Sequence, residues 1–66
     1  MKIYEEDGFY VEKAYDIESL KVAYRVVGFG KLVGFLEDVE IKEDEIRDRL
    51  FLPAKAAILN AIKEEK

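Results

Sequence analysis

An α+β fold is what this sequence predicts: an N-terminal β-hairpin, a helix, a strand, and a long Pro-kinked C-terminal amphipathic helix packed on a small antiparallel sheet. Three observations carry that expectation. Asp7-Gly8 stands between two short runs of aromatic and β-branched residues, apolar residues recur at helical spacing from Ile17 to Val27, and the chain from Glu43 onward carries helix formers interrupted once by proline.

Ile3-Tyr4-Glu5 and Phe9-Tyr10-Val11 suit strands, because such side chains pack well on a pleated surface. Asp-Gly between them is a favoured two-residue turn, since glycine takes positive φ without steric penalty. Tyr15 to Leu20 has the features of a helix start. Asp16 can cap free amides, Glu18 complements the dipole and Tyr15 can staple onto Leu20. Ile17, Leu20, Ala23, Tyr24 and Val27 then form one apolar stripe, and Gly28 stands where a glycine ends a helix. A strand over Val22 to Val27 competes with this helix, because Val22, Val26 and Val27 favour extended backbone.

Lys31 to Leu36 reads as a buried strand entered through Gly28-Phe29-Gly30, with Val39-Glu40-Ile41 continuing it after a bulge. Acids at 43, 44 and 45 suit the first turn of the last helix, and Lys63 and Lys66 suit its end. Pro53 lacks an amide donor and disfavours the α region for Leu52, so it either kinks one helix or opens a second. The 66 residues allow one domain, residues 1-66, without repeats or a low-complexity linker.

Composition narrows the chemistry. Half the residues are hydrophobic and 39% are charged, with 15 acids against 11 bases giving a net charge of −4. Cys, His, Trp, Thr and Gln are absent, and Ser19 and Asn60 are single. These absences exclude a disulfide scaffold, a Cys/His zinc site and thiol, histidine or Ser-His-Asp catalysis. An enzyme would have to work with carboxylates, Lys or Tyr alone, in a chain with little room for a cleft. No catalytic residue, metal or cofactor is expected. Glu5, Glu6 and Asp7 interrupt the place where a signal peptide's apolar core would lie, and Arg25 and Lys31 interrupt the most apolar stretch. A cytoplasmic protein outside the membrane is the expectation. Abundant Lys and Glu, with a single Asn60 and Met1, resemble small proteins of hyperthermophilic archaea. The resemblance is compositional and implies no activity.

Two surfaces stand out. Glu37, Asp38, Glu40, Glu43, Asp44 and Glu45 place six carboxylates in nine residues, and residues 37–50, with seven acids and three bases, hold a charge equal to that of the whole chain. They lack the alternating spacing and central glycine of an EF-hand loop, so an acidic docking surface for a basic protein is preferred to a cation site. The last helix is apolar on more than one side. Ala54, Ala57 and Ala61 form a small-residue face, Ile62 flanks it, and Leu52, Ala56 and Leu59 form another row. A small monomer has little to cover both, so Leu52, Ala54, Ala57, Leu59, Ala61 and Ile62 are the candidate interface of a homo-oligomer.

Weaker motifs resolve against function. Gly28-Phe29-Gly30-Lys31 lacks the Gly-Lys-Ser/Thr ending of a phosphate loop and the aromatic of an RNA-binding octamer. The aromatics before residue 36 sit among too few bases to bind single strands and are expected to fill a core. The sequence thus favours a non-enzymatic interaction module that self-associates through its C-terminal helix. The alternative is a small nucleic-acid-associated regulator with residues 43–51 and 53–65 as a helix-turn-helix, although only Lys55, Asn60 and Lys63 would face a groove.

Overall fold

The computed structural model describes residues 1–65, and Lys66 with its expected place in the last helical turn lies outside them. The fold is α+β: a four-stranded antiparallel meander followed by one bent helix across a single face. The strands are β1 (Lys2–Glu6), β2 (Phe9–Asp16), β3 (Lys21–Gly28) and β4 (Lys31–Glu37), adjacent in chain order.

The first hairpin forms as its Asp-Gly pair requires. Asp7 and Gly8 both take positive φ, at 54° and 83°, and Glu6 pairs with Phe9 across the turn. The expected helix from residue 17 does not form. Val22, Tyr24 and Val26 are buried on alternate positions of β3, a period-two pattern that the β-branched residues support and a helical stripe cannot supply. Ile17 and Leu20, which gave that stripe its first turn, are exposed in the β2–β3 loop at 86% and 84%. Asp16 does bond a nearby amide, that of Glu18 at 3.1 Å, but within a turn rather than at a helix cap. Gly28 accordingly ends a strand. A Cβ there would overlap the Phe9 ring, so glycine is what lets that ring lie flat against the sheet.

Residues 38–42 leave the sheet, so Val39-Glu40-Ile41 is a loop and not a continued strand. Ile41 turns inward from it and is buried, and its amide donates to the Tyr24 hydroxyl at 2.8 Å. A 3₁₀ turn at Glu43–Glu45 leads into a π-helical turn, Arg47–Phe51, and then α1, Leu52–Glu64. Pro53 bends one helix instead of separating two. The Leu52 amide reaches back to the Arg47 carbonyl, five residues away, and the widened turn accommodates a proline that cannot bond the preceding turn.

One core joins the layers: Phe9, Val11, Val22, Tyr24 and Val26 from the sheet meet Ile41, Ile46, Leu50, Phe51, Ala54 and Ile58. Phe51 stands edge-on to both Tyr4 and Phe9, with ring centroids 4.9 and 6.2 Å apart. The aromatics are divided, since Phe9 and Tyr24 are core residues whereas Tyr15 and Phe29 are mostly exposed. Among the described residues no helix is long and apolar enough to cross a membrane.

Candidate functional site

The helix covers one face of the sheet and leaves the other open. Side chains of paired residues share a face, so the register arranges the open face into cross-strand rows. One row is Tyr10, Val27 and Leu32, another is Glu12, Arg25 and Gly34, and a third is Ala14, Ala23 and Leu36. Arg25 and Glu12 form a 3.7 Å ion pair in the middle row, and the Lys2 ammonium lies 4.6 Å from the centre of the Tyr10 ring. Leu32 and Leu36 stand at the β4 side of this face, 55% and 57% exposed.

The two edges of the sheet differ. β1 is short, is interrupted by a bulge between Lys2 and Tyr4, and carries Lys2, Glu5 and Glu6. Those are the features by which sheets discourage further pairing. β4 runs seven residues in unbroken register, with charges only at its ends, Lys31 and Glu37. Phe29 and Gly30, at φ 52° and 74°, make a two-residue turn that sets Gly28 and Lys31 as a hydrogen-bonded pair. Alternation along the ladder then directs the backbone groups of Val33, Phe35 and Glu37 toward β3 and those of Leu32, Gly34 and Leu36 outward. Among the described residues no backbone group pairs with that outer edge.

A concavity of about 280 Å³ lies between the sheet and the 40–46 segment, lined by Ile3, Lys13, Tyr24, Glu40, Ile41, Glu43 and Ile46. Lys13 and Glu40 satisfy one another there, whereas Glu43 on its rim faces no base among the described residues. Lys13 Nζ donates to Glu40 Oε2 at 2.8 Å and the Tyr15 hydroxyl to Glu40 Oε1 at 3.1 Å. These bonds, the lysine's foremost, hold the Glu40 carboxyl below its ordinary range, and the bond to Glu40 raises Lys13 above its own. Lys13 is therefore a firmly protonated structural cation, with none of the depressed pKa a lysine nucleophile needs. Across the molecule, the Tyr4 hydroxyl and Arg47 both donate to Glu6, depressing its carboxyl, while the same bond to Glu6 raises the Tyr4 phenol.

The carboxylates singled out in the sequence do not converge. Glu37 lies 4.0 Å from Arg49, Asp38 3.4 Å from Lys21, Glu40 beside Lys13, and Glu45 3.6 Å from Arg49. Each of these four faces a base, which leaves Glu43 and Asp44 exposed in the 3₁₀ turn. Among the described residues no group of acids is placed to hold a metal ion.

The candidate helix interface is also divided. Ala54 is buried in the core, and Ile62 and Ala61 are half-buried, Ile62 packing against that core. Leu52, at 37%, Leu59, at 44%, and Ala57 are exposed. The apolar excess of the helix thus serves the monomer on one side and leaves the Leu52, Ala56 and Leu59 row, with Ala57, exposed on the other. The proposed helix-turn-helix is absent, because 46–64 is one bent helix. The β4 edge was missed in the sequence because Lys31 to Leu36 reads there as a buried strand. Comparison with protein-family models, curated proteins and solved structures gave no match to this chain.

Proposed function

We propose that the chain is a non-enzymatic protein–protein interaction module that docks an extended apolar segment, as an added antiparallel strand, along the outer edge of β4. The observation that carries this reading is the contrast between the two edges: β1 is bulged and charged, whereas β4 is long, regular and apolar. An added strand would bond the outward amides and carbonyls of Leu32, Gly34 and Leu36, and its side chains would cover the exposed leucines. We prefer this edge to the C-terminal helix as the docking element because Leu32 and Leu36 are more exposed, at 55% and 57%, than Leu52 and Leu59, at 37% and 44%, and lie beside unpaired backbone groups. The lysine- and glutamate-rich composition and the ion pairs that tie the helix to the sheet, such as Lys55–Asp7 at 2.9 Å, fit a cytoplasmic protein of a high-temperature organism. The net charge of −4 and the single bent helix speak against a nucleic-acid partner.

The reading is tested by selecting binders from a displayed library of random linear peptides and mapping the enriched ones by amide chemical shifts. Binders that shift Leu32, Gly34 and Leu36 support it. Binders that instead shift the helix, or a library from which none is enriched by chain held at concentrations where sedimentation shows it monomeric, would refute it.

A further inference from the structure

We infer that the strand docked on β4 is β4 of a second copy, paired antiparallel about a two-fold axis through Gly34. The inference rests on the edge reading above and gives it a partner. Residues 31–37 read Lys-Leu-Val-Gly-Phe-Leu-Glu, and turning this segment about its centre sets Lys31 opposite Glu37, Leu32 opposite Leu36, Val33 opposite Phe35 and Gly34 opposite itself. Every facing pair is complementary: opposite charge with opposite charge, apolar with apolar, glycine with glycine. The same register uses the backbone groups that are free. Leu32, Gly34 and Leu36 are the residues whose amides and carbonyls point away from β3, and in this pairing they face Leu36, Gly34 and Leu32 of the second copy as hydrogen-bonded pairs. A shift by one residue would set outward groups against inward ones and break both matches.

Two further observations agree. A Cβ on Gly34 would meet only the Tyr24 carbonyl oxygen at 3.9 Å, and Gly34 is not among the positive-φ residues. One copy therefore has no need of glycine there, although glycine weakens a strand interior. On the two-fold axis a side chain would stand directly opposite its own copy among the leucines of the open face, and glycine leaves that space to them. The charges also extend into a line. Within one copy Arg49 lies 4.0 Å from Glu37 and Lys31 pairs with Glu65. Across the axis Glu37 would face the second copy's Lys31, so the signs alternate through Arg49, Glu37, Lys31 and Glu65. Both helices then lie on one side of a continuous sheet, and the four leucines gather on its open face around the paired glycines.

The test uses the full chain in analytical ultracentrifugation over a wide concentration range, with amide exchange at both extremes. Wild type is expected to dimerise, with Leu32, Gly34 and Leu36 amides protected only at dimer concentrations. Lys31→Glu or Glu37→Lys alone sets like charges opposite each other at two symmetric contacts and is expected to weaken dimerisation about tenfold. The double variant is expected to restore it. Within each copy the double variant sets a carboxylate at position 31 beside Glu65 and an ammonium at position 37 beside Arg49, so its recovery can come only from the facing strand. Gly34→Pro removes an outward amide without touching the ladder to β3, and is expected to weaken the dimer about a hundredfold while the circular dichroism of the dilute chain is unchanged. A wild type that remains monomeric, with those amides exchanging as a free edge, would overturn self-pairing while leaving the peptide-docking reading intact. A dimer indifferent to the charge swap and to Gly34→Pro but abolished by Leu52→Glu with Leu59→Glu would overturn self-pairing and move the interface to the helix.

Discussion

Replacing Tyr24 by Phe removes one oxygen from the centre of the molecule and leaves the shape of the core almost unchanged. That oxygen accepts the Ile41 amide at 2.8 Å, and both residues are buried, at 0% and 5% exposure. No buried side-chain polar atom lacks a partner among the described residues, so the bond belongs to a fully satisfied interior. Phe opens no cavity of consequence, so the loss is that of the stranded amide, about 1–3 kcal/mol, reduced because the phenol no longer needs desolvating. A net destabilisation of about 1.5 kcal/mol is expected from that balance. In a domain of this size it lowers Tm by roughly 6–12 °C. Urea unfolding followed by circular dichroism, at one fixed protein concentration, measures it, and an unchanged m value shows that the folded state has not loosened. The Ile41 amide should also exchange faster, since the bond anchors the 38–42 loop. A loss below about 0.5 kcal/mol, or an Ile41 amide as protected as in wild type, would refute the reasoning by showing that another acceptor takes the amide without cost.

Gly28→Ala forces a methyl into the Phe9 ring and is expected to cost about 2–3 kcal/mol by urea unfolding, with the loss smaller when Phe9 is first shortened to Leu. The two sides of the helix should respond differently in the same measurement: about 2–4 kcal/mol for Ile58→Ala, 2% exposed, and under about 1.5 kcal/mol for Leu59→Ala, 44% exposed. The folded-state carboxyls of Glu6 and Glu40 lie below their ordinary range. Their contribution is therefore complete above that range and lost as pH falls through the folded values, so the urea midpoint should fall in acid, and less steeply in Glu6→Gln and Glu40→Gln. Tyr4 and Lys13 are raised instead, so their contribution is complete below their ordinary values and lost as pH rises through the folded ones, which Tyr4→Phe should diminish on the alkaline limb.

What could be read from the sequence was what local chemistry decides. Asp7-Gly8 has few other uses between two β-formers, and the hairpin followed from it. The helix after residue 43 followed from its formers and its acidic first turn. The helix expected after Asp16 failed because Ile17, Leu20, Ala23, Tyr24 and Val27 satisfy a helical period by coincidence, drawing on a loop and both faces of a strand. The competing signal, alternation of Val22, Tyr24 and Val26, was present but short, and tertiary pairing on both flanks decided between them. Likewise the acidic run looked like one surface because the bases that divide it, Lys13, Lys21 and Arg49, lie outside the run itself. The β4 segment was visible as a strand. Whether a strand lies at the centre or the edge of a sheet depends on where the next element goes, and the helix crossing the face after Glu37 leaves β4 outermost.

The asymmetry of the edges also bears on how many copies can join. A sheet with two open edges would add copies without limit, because each addition presents a fresh edge. Here β1 carries a bulge and charged residues, while β4 carries neither bulge nor interior charge. Pairing of β4 with a symmetry mate, as proposed, would consume the one sheet edge among the described residues that has neither bulge nor interior charge and would present two blunted β1 strands to solvent, so assembly through it would close at two. Closure needs a segment complementary to itself in the antiparallel sense, since a strand that matched only a different sequence would leave copies competing for a third component. Lys31 to Glu37 meets that requirement at every position, down to the glycine at its centre. In such a dimer the bulge in β1 and the symmetry of β4 would be two parts of one arrangement, in which the first limits what the second begins.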